Sequence, residues 1–121
     1  MDSNELQYIS YGKPQEDIVM KGISAISDVL MGPDMAEKDS LLFCLDKYLD
    51  PWYGYNLPYE KEIFEFLQYV LINPNRKSVK EEAIHLLSVY SWPPFTILEN
   101  NLDKIEDDMI WEVRNLINVY N

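Results

Sequence analysis

The sequence predicts an all-α fold, a short solenoid of about three helix pairs, with an irregular helical bundle as the alternative. Three observations predict it. Apolar residues recur at helical spacing through most of the 121 residues, in runs cut by proline and glycine. No segment alternates with the period of two that a half-buried strand requires. The helical runs also match one another at fixed offsets. The length predicts a single domain over 1–121, with 1–13 as an N-terminal arm or cap in which Tyr8, Ile9 and Tyr11 pack. A composition 47% hydrophobic and 13% aromatic is ample for a core at this size and unlike that of disordered chains.

The first helix begins at Pro14, whose missing N–H suits a first turn, with Glu16 and Asp17 at the positive end of the helix dipole. Val19, Ile23, Ile26 and Leu30 carry its apolar stripe, and Gly32-Pro33 ends it. A second helix, from about Met35 to Leu49, presents Leu41, Leu42, Cys44, Leu45, Tyr48 and Leu49 until Asp50-Pro51 stops it. A third runs from Pro58 to Ile72 and ends at the turn signal Asn73-Pro74-Asn75. A fourth, Lys77 to Tyr90, packs Val79, Ala83, Leu86, Leu87 and Tyr90, and Pro93-Pro94 blocks its continuation. A short fifth helix is expected over Phe95 to Leu102 and a sixth from Ile105 to Tyr120, opening on Glu106, Asp107 and Asp108. The expected core includes Leu41, Cys44, Leu45, Ala83, Leu86, Leu87, Val113, Leu116 and Ile117.

The internal match is specific at several positions. VKEEAIHLLSVY at 79–90 aligns with MIWEVRNLINVY thirty residues later: Glu82 meets Glu112, Leu86 meets Leu116, and Val89-Tyr90 meets Val119-Tyr120. Forty-two residues earlier, Leu41, Leu45 and Tyr48 fall under Ala83, Leu87 and Tyr90. VLMGPD at 29–34 resembles VLINPN at 70–75. The units are 14–49, 59–90 and 94–120, the last with a truncated first helix. The stretch from Val70 to Tyr90 resembles a HEAT repeat of the lyase type, through Val70-Leu71, Asn73-Pro74-Asn75, Val79-Lys80, Ala83 and Leu87. It departs from that pattern with Asn for Asp in the turn, Lys80 for Arg, Ser88 for Gly and a turn one residue longer. The resemblance implies stacked helix pairs whose second helices line a concave binding surface.

Charge and motif content direct the functional reading. Asp plus Glu is 21 and Lys plus Arg 10, a net charge of -11, which repels phosphate backbones and anionic membranes and attracts basic surfaces. The polar, acidic N-terminus is unlike a signal peptide, and no apolar run approaches the ~20 residues of a membrane helix, so a cytoplasmic location is expected. One cysteine excludes a disulfide framework, and Cys44 on an apolar face reads as a small core hydrophobe. Glu81 and His85, four apart on the fourth helix, are placed to share a hydrogen bond. There is no nucleophile motif, Gly-rich phosphate loop or HExxH. The run Glu106-Asp107-Asp108 is explained by capping. The expectation is therefore no enzyme, no cofactor and no metal.

Two surfaces remain as candidate partner sites. On the second helix of each unit, helical geometry directs Asp39, Phe43 and Asp46, then Glu81, Glu82, His85 and Ser88, then Trp111, Glu112, Asn115 and Asn118 away from the core. Phe43 and Trp111 stand where a merely solvated face carries polar residues; a helix rotated by about 40° would instead bury both. The alternative is the loop edge, Trp52, Tyr53, Tyr55 and Tyr59 in DPWYGYNLPY with Trp92 in SWPPF, unless these rings fold back to seal the core. A small acidic helical repeat protein with aromatic anchors is similar in character to bacterial immunity proteins of contact-dependent growth inhibition and related toxin systems. That likeness implies a protein-binding module that neutralises a basic partner, such as a nuclease toxin domain. A DNA mimic or regulatory adaptor of a nucleic-acid enzyme, with Asp39, Glu81 and Glu112 imitating phosphates, is the alternative. A HEAT-like enzyme is the third reading. Direct nucleic-acid or membrane binding is not expected; homo-oligomerisation stays open.

Overall fold

A computed structural model describes residues 11–92 and 94–118. Among them every regular element is helical: α1 (Lys13–Lys21), α2 (Ile23–Leu30), α3 (Met35–Leu49), α4 (Glu60–Leu71), α5 (Lys77–Tyr90), α6 (Thr96–Glu99) and α7 (Ile110–Asn118), with 3-10 turns at Pro51–Tyr53 and Leu102–Lys104. No helix among them is long and apolar enough to cross a membrane. The expected packing of Tyr8 and Ile9, the block at Pro93 and the match at Val119-Tyr120 lie outside the described residues.

The helix expected from Pro14 to Leu30 is two helices. Gly22 takes φ 108° and ψ -168°, a conformation essentially confined to glycine, so the chain turns there and α2 starts afresh. The α3 boundaries match expectation, and Asp34 caps the helix by accepting a hydrogen bond from Glu37 N at 3.1 Å. Helix α4 begins two residues later than the proline signal suggested, after a turn at Pro58-Tyr59, with Leu57 buried as the loop's anchor. Helix α6 is only four residues, not eight, and its missing length is replaced by the second 3-10 turn.

The last helix starts at Ile110 rather than Ile105, because the acidic run is engaged elsewhere. Lys80, with a side chain only 3% exposed, donates to Glu106 Oε1 at 2.6 Å, and Lys77 pairs with Asp108 at 3.3 Å. These contacts to α5 anchor the segment before α7, so the run ties two elements together besides flanking a helix start.

The helices pack in two rows. Helices α3, α5 and α7 contact in that order, as do α2, α4 and α6, and α1–α2 cover α3 while α4 covers α5 and α6 covers α7. One apolar cluster lies between the rows, with Ile26, Leu41, Leu45, Leu67, Ala83, Leu87, Leu98 and Val113 fully buried. The remaining expected core residues Cys44, Leu86 and Leu116 are also buried, whereas Ile117 is only half-buried at its edge.

Polar links also tie the helices to the turns beside them. Lys38 donates to Asn75 Oδ1 at 2.8 Å, and the Asn75 amide donates to Leu30 O at 2.8 Å, joining α3, the turn before α5 and the end of α2. Lys80, forty-two residues after Lys38, reaches from α5 to Glu106 before α7. The turn position that holds Asn instead of Asp thus needs its amide: an aspartate cannot donate to the Leu30 carbonyl.

Candidate functional site: an acidic groove between α3 and α5

Contact between α3 and α5 sets the exposed stripe of one helix beside that of the other. A groove of about 390 Å³ runs between them, lined by Asp39, Leu42 and Phe43 from α3 and by Ser78, Glu81 and Glu82 from α5. Phe43 is 45% exposed, so neither α3 nor its stripe is rotated into the core. Its ring meets that of Tyr11 edge-on, with centroids 5.6 Å apart. Among the described residues, no ion pair reaches Asp39, Glu81 or Glu82.

Further along the seam, Asp46 and His85 approach each other, with Nε2 and Oδ2 3.8 Å apart. This separation is beyond hydrogen-bond range. The imidazole faces the carboxylate of the neighbouring helix rather than Glu81, the partner expected from spacing within α5. Asp46 Oδ1 accepts the Tyr90 hydroxyl at 2.5 Å. Partial burial raises the Glu82 carboxyl above its ordinary pKa; His85 opposes the shift, and the carboxylates of Asp46 and Asp39 add to it. Asp46, Glu82 and His85 place one ligand atom each within 4.8 Å of one another.

The loop edge is continuous with this face. A second depression, of about 250 Å³, is lined by Phe43, Asp46 and Lys47 of α3 together with Tyr11, Asp50 and Tyr53. The two candidate surfaces posed as alternatives therefore share Phe43 and Asp46. The Lys47 ammonium lies 5.8 Å from the ring centroids of Tyr11, Tyr53 and Tyr55. Hydrogen bonds to the hydroxyls of Tyr11 and then Tyr55 raise its pKa and hold it charged. Tyr55 leans on Tyr48 at 4.3 Å, while Trp52, 87% exposed, stands clear of the core.

The other predicted residues are not gathered here. Trp92 lines a separate depression of about 590 Å³ against α4, beside Phe64, Gln68 and Ile97. Trp111, Glu112 and Asn115 are exposed on α7. They line neither groove; Glu112 is linked to the rest of the face only through the field at Lys77, whose pKa Asp108 raises first and Glu81 and Glu112 raise further.

Sequence reasoning missed Tyr90, Tyr11, Lys47 and Asp50 as members of the surface. Tyr90 read as core from its place in the apolar stripe, yet a tyrosine at the end of such a stripe brings a polar tip to the edge. Cys44 contributes nothing to the site: it is fully buried, and burial pushes its thiol up to about 12. Comparison with protein-family models, curated proteins and solved structures finds no match to the chain.

Proposed function

We propose that this chain is a protein-binding module that neutralises a basic protein partner, as an immunity protein blocks its cognate nuclease toxin, and that it is not an enzyme. The carrying observation is the α3–α5 groove, where Phe43 stands exposed among Asp39, Glu81 and Glu82. Carboxylates that no ion pair among the described residues reaches favour a partner that brings lysines and arginines, and an exposed ring between them supplies an apolar anchor. The continuity of the groove with the Tyr11–Tyr53 depression extends the surface toward the aromatic loop. The scaffold of this reading is a short HEAT-like solenoid of three helix pairs. The two rows of helices and the lysine links from Lys38 and Lys80 support it.

Exposed charge pairs contribute about 0–1 kcal/mol each, so the carboxylates act mainly on association rate and specificity. Truncating a central aromatic anchor costs about 2 kcal/mol or more. The test is affinity purification from the native host followed by surface plasmon resonance with the recovered partner. A basic nuclease domain that Glu81→Lys slows in association and Phe43→Ala releases faster supports the proposal. Recovery of a scaffold complex without a basic toxin sinks it. Binding lost with Trp111→Ala but kept with Phe43→Ala moves the site onto α7.

A further inference from the structure

Helix α5 carries Glu82 and His85 one turn apart, a Glu-x-x-His spacing that points both side chains to the same side of the helix. Asp46 reaches the same point from α3, thirty-six residues before Glu82 in the chain. We propose that Asp46, Glu82 and His85 form a binding site for a divalent first-row transition ion, zinc(II) being the type ion. This goes beyond the partner-binding reading and does not depend on it.

The donor set is one imidazole nitrogen and two carboxylates, which together suit zinc better than the all-oxygen shells of calcium or magnesium. Helical bundles build such sites from a Glu-x-x-His helix facing a carboxylate on its neighbour. The geometry is close to what an ion needs. Zinc bonds of about 2.0–2.1 Å in a tetrahedron put ligand atoms about 3.3–3.4 Å apart. The His85–Asp46 separation of 3.8 Å must close by about half an ångström on that scale. The widest separation in the set, at most 4.8 Å, closes by about 1.5 Å, within reach of side-chain rotation at a half-exposed seam.

A second observation concerns Asp46. Its Oδ1 is occupied by the Tyr90 hydroxyl, which orients the carboxylate and leaves Oδ2 facing His85. Hydrogen-bonded outer partners of this kind are the usual companions of metal-binding carboxylates. Three protein ligands leave at least one coordination position open toward the exposed face.

The chain without a histidine tag is titrated with zinc(II) by calorimetry and with cobalt(II) by visible absorption. The ring resonances of its one histidine are followed in parallel, so wild-type protein alone reports on the site. The expected result is one ion per chain, with the His85 ring signals saturating at the same stoichiometry. His85→Ala, Asp46→Asn and Glu82→Gln should each weaken binding by at least tenfold, and Tyr90→Phe by about 10–100-fold. Asp107→Asn, in the acidic run before α7, should leave it unchanged. Absence of uptake by the wild type overturns the proposal. So does uptake that leaves the His85 ring signals unmoved, or that His85→Ala retains at full strength, since either marks carboxylate binding elsewhere.

Discussion

Leu87 has no exposed surface and sits between the two helical rows, so shortening it opens a cavity that close neighbours cannot fill. Leu87→Ala should destabilise the protein by roughly 2–5 kcal/mol, read from the urea midpoint; a loss under about 1 kcal/mol means the core lies elsewhere. Cys44 makes a second prediction at this scale. Its thiol is buried and its pKa is raised from 9.0 to about 12, so the folded state holds a proton that the unfolded state releases. Stability is therefore intact below about pH 9 and falls as pH rises toward 12, by up to ~1.4 kcal/mol per pH unit. Burial shifts Tyr48, Tyr59 and Tyr90 upward too, and these add to the alkaline loss. Urea titrations from pH 8 upward check the slope, and a disulfide reagent at pH 8 should leave Cys44 unmodified until the chain unfolds. Ile117 shows where residue-level reading stops. Helical spacing placed Phe43 outward and Ile117 inward, but Ile117, near the end of the described chain, is only half-covered.

At the level of elements, Gly22 decides more than its sequence context suggests. A lone glycine inside an amphipathic stripe usually reads as a tolerated weakness. Here it ends one helix and caps the next, and only its positive φ makes the difference. A Cβ at Gly22 would meet nothing within 4 Å, so the cost of Gly22→Ala is conformational rather than steric. Calorimetry should find the variant less stable by roughly 1–3 kcal/mol. The two links to the segment before α7 differ in the same quantifiable way. Lys80 is almost fully buried, whereas Lys77 and Asp108 are both more than half exposed. Glu106→Ala strands a buried ammonium and should cost roughly 1–3 kcal/mol, discounted because Glu106 itself is exposed. Asp108→Ala should cost about 0–1 kcal/mol. Equal losses in denaturant titrations would show that the buried link does not hold α7 in place.

For the whole molecule, the net charge of -11 is the dominant long-range property. Association with a basic partner should slow steeply as salt rises and the screening length shortens from ~10 Å at 0.1 M to ~3 Å at 1 M, with dissociation nearly constant. Stopped-flow rates across that range check this; a salt-independent rate removes electrostatics from the mechanism. The contact of α3 with α5 is the tertiary feature that sets Asp39, Glu81 and Glu82 around one groove.

What the sequence determined by itself is local. Apolar spacing gives most of the described residues their helices, prolines end them, and composition sets the sign of the field. It also showed which stripe of each long helix faces the core, because a 3.6-residue period carries that information within one element. Tertiary structure alone decided which exposed stripes meet. Asp46 faces His85 rather than Glu81 doing so, Phe43 joins the helix face to the aromatic loop, and Trp111 stays apart on α7. The physical reason is that periodicity fixes a side chain's angle about its own axis, whereas the distance between two helices' side chains depends on their relative shift and rotation. Those are set by the packing of the whole core and by a break such as Gly22, which no single element encodes.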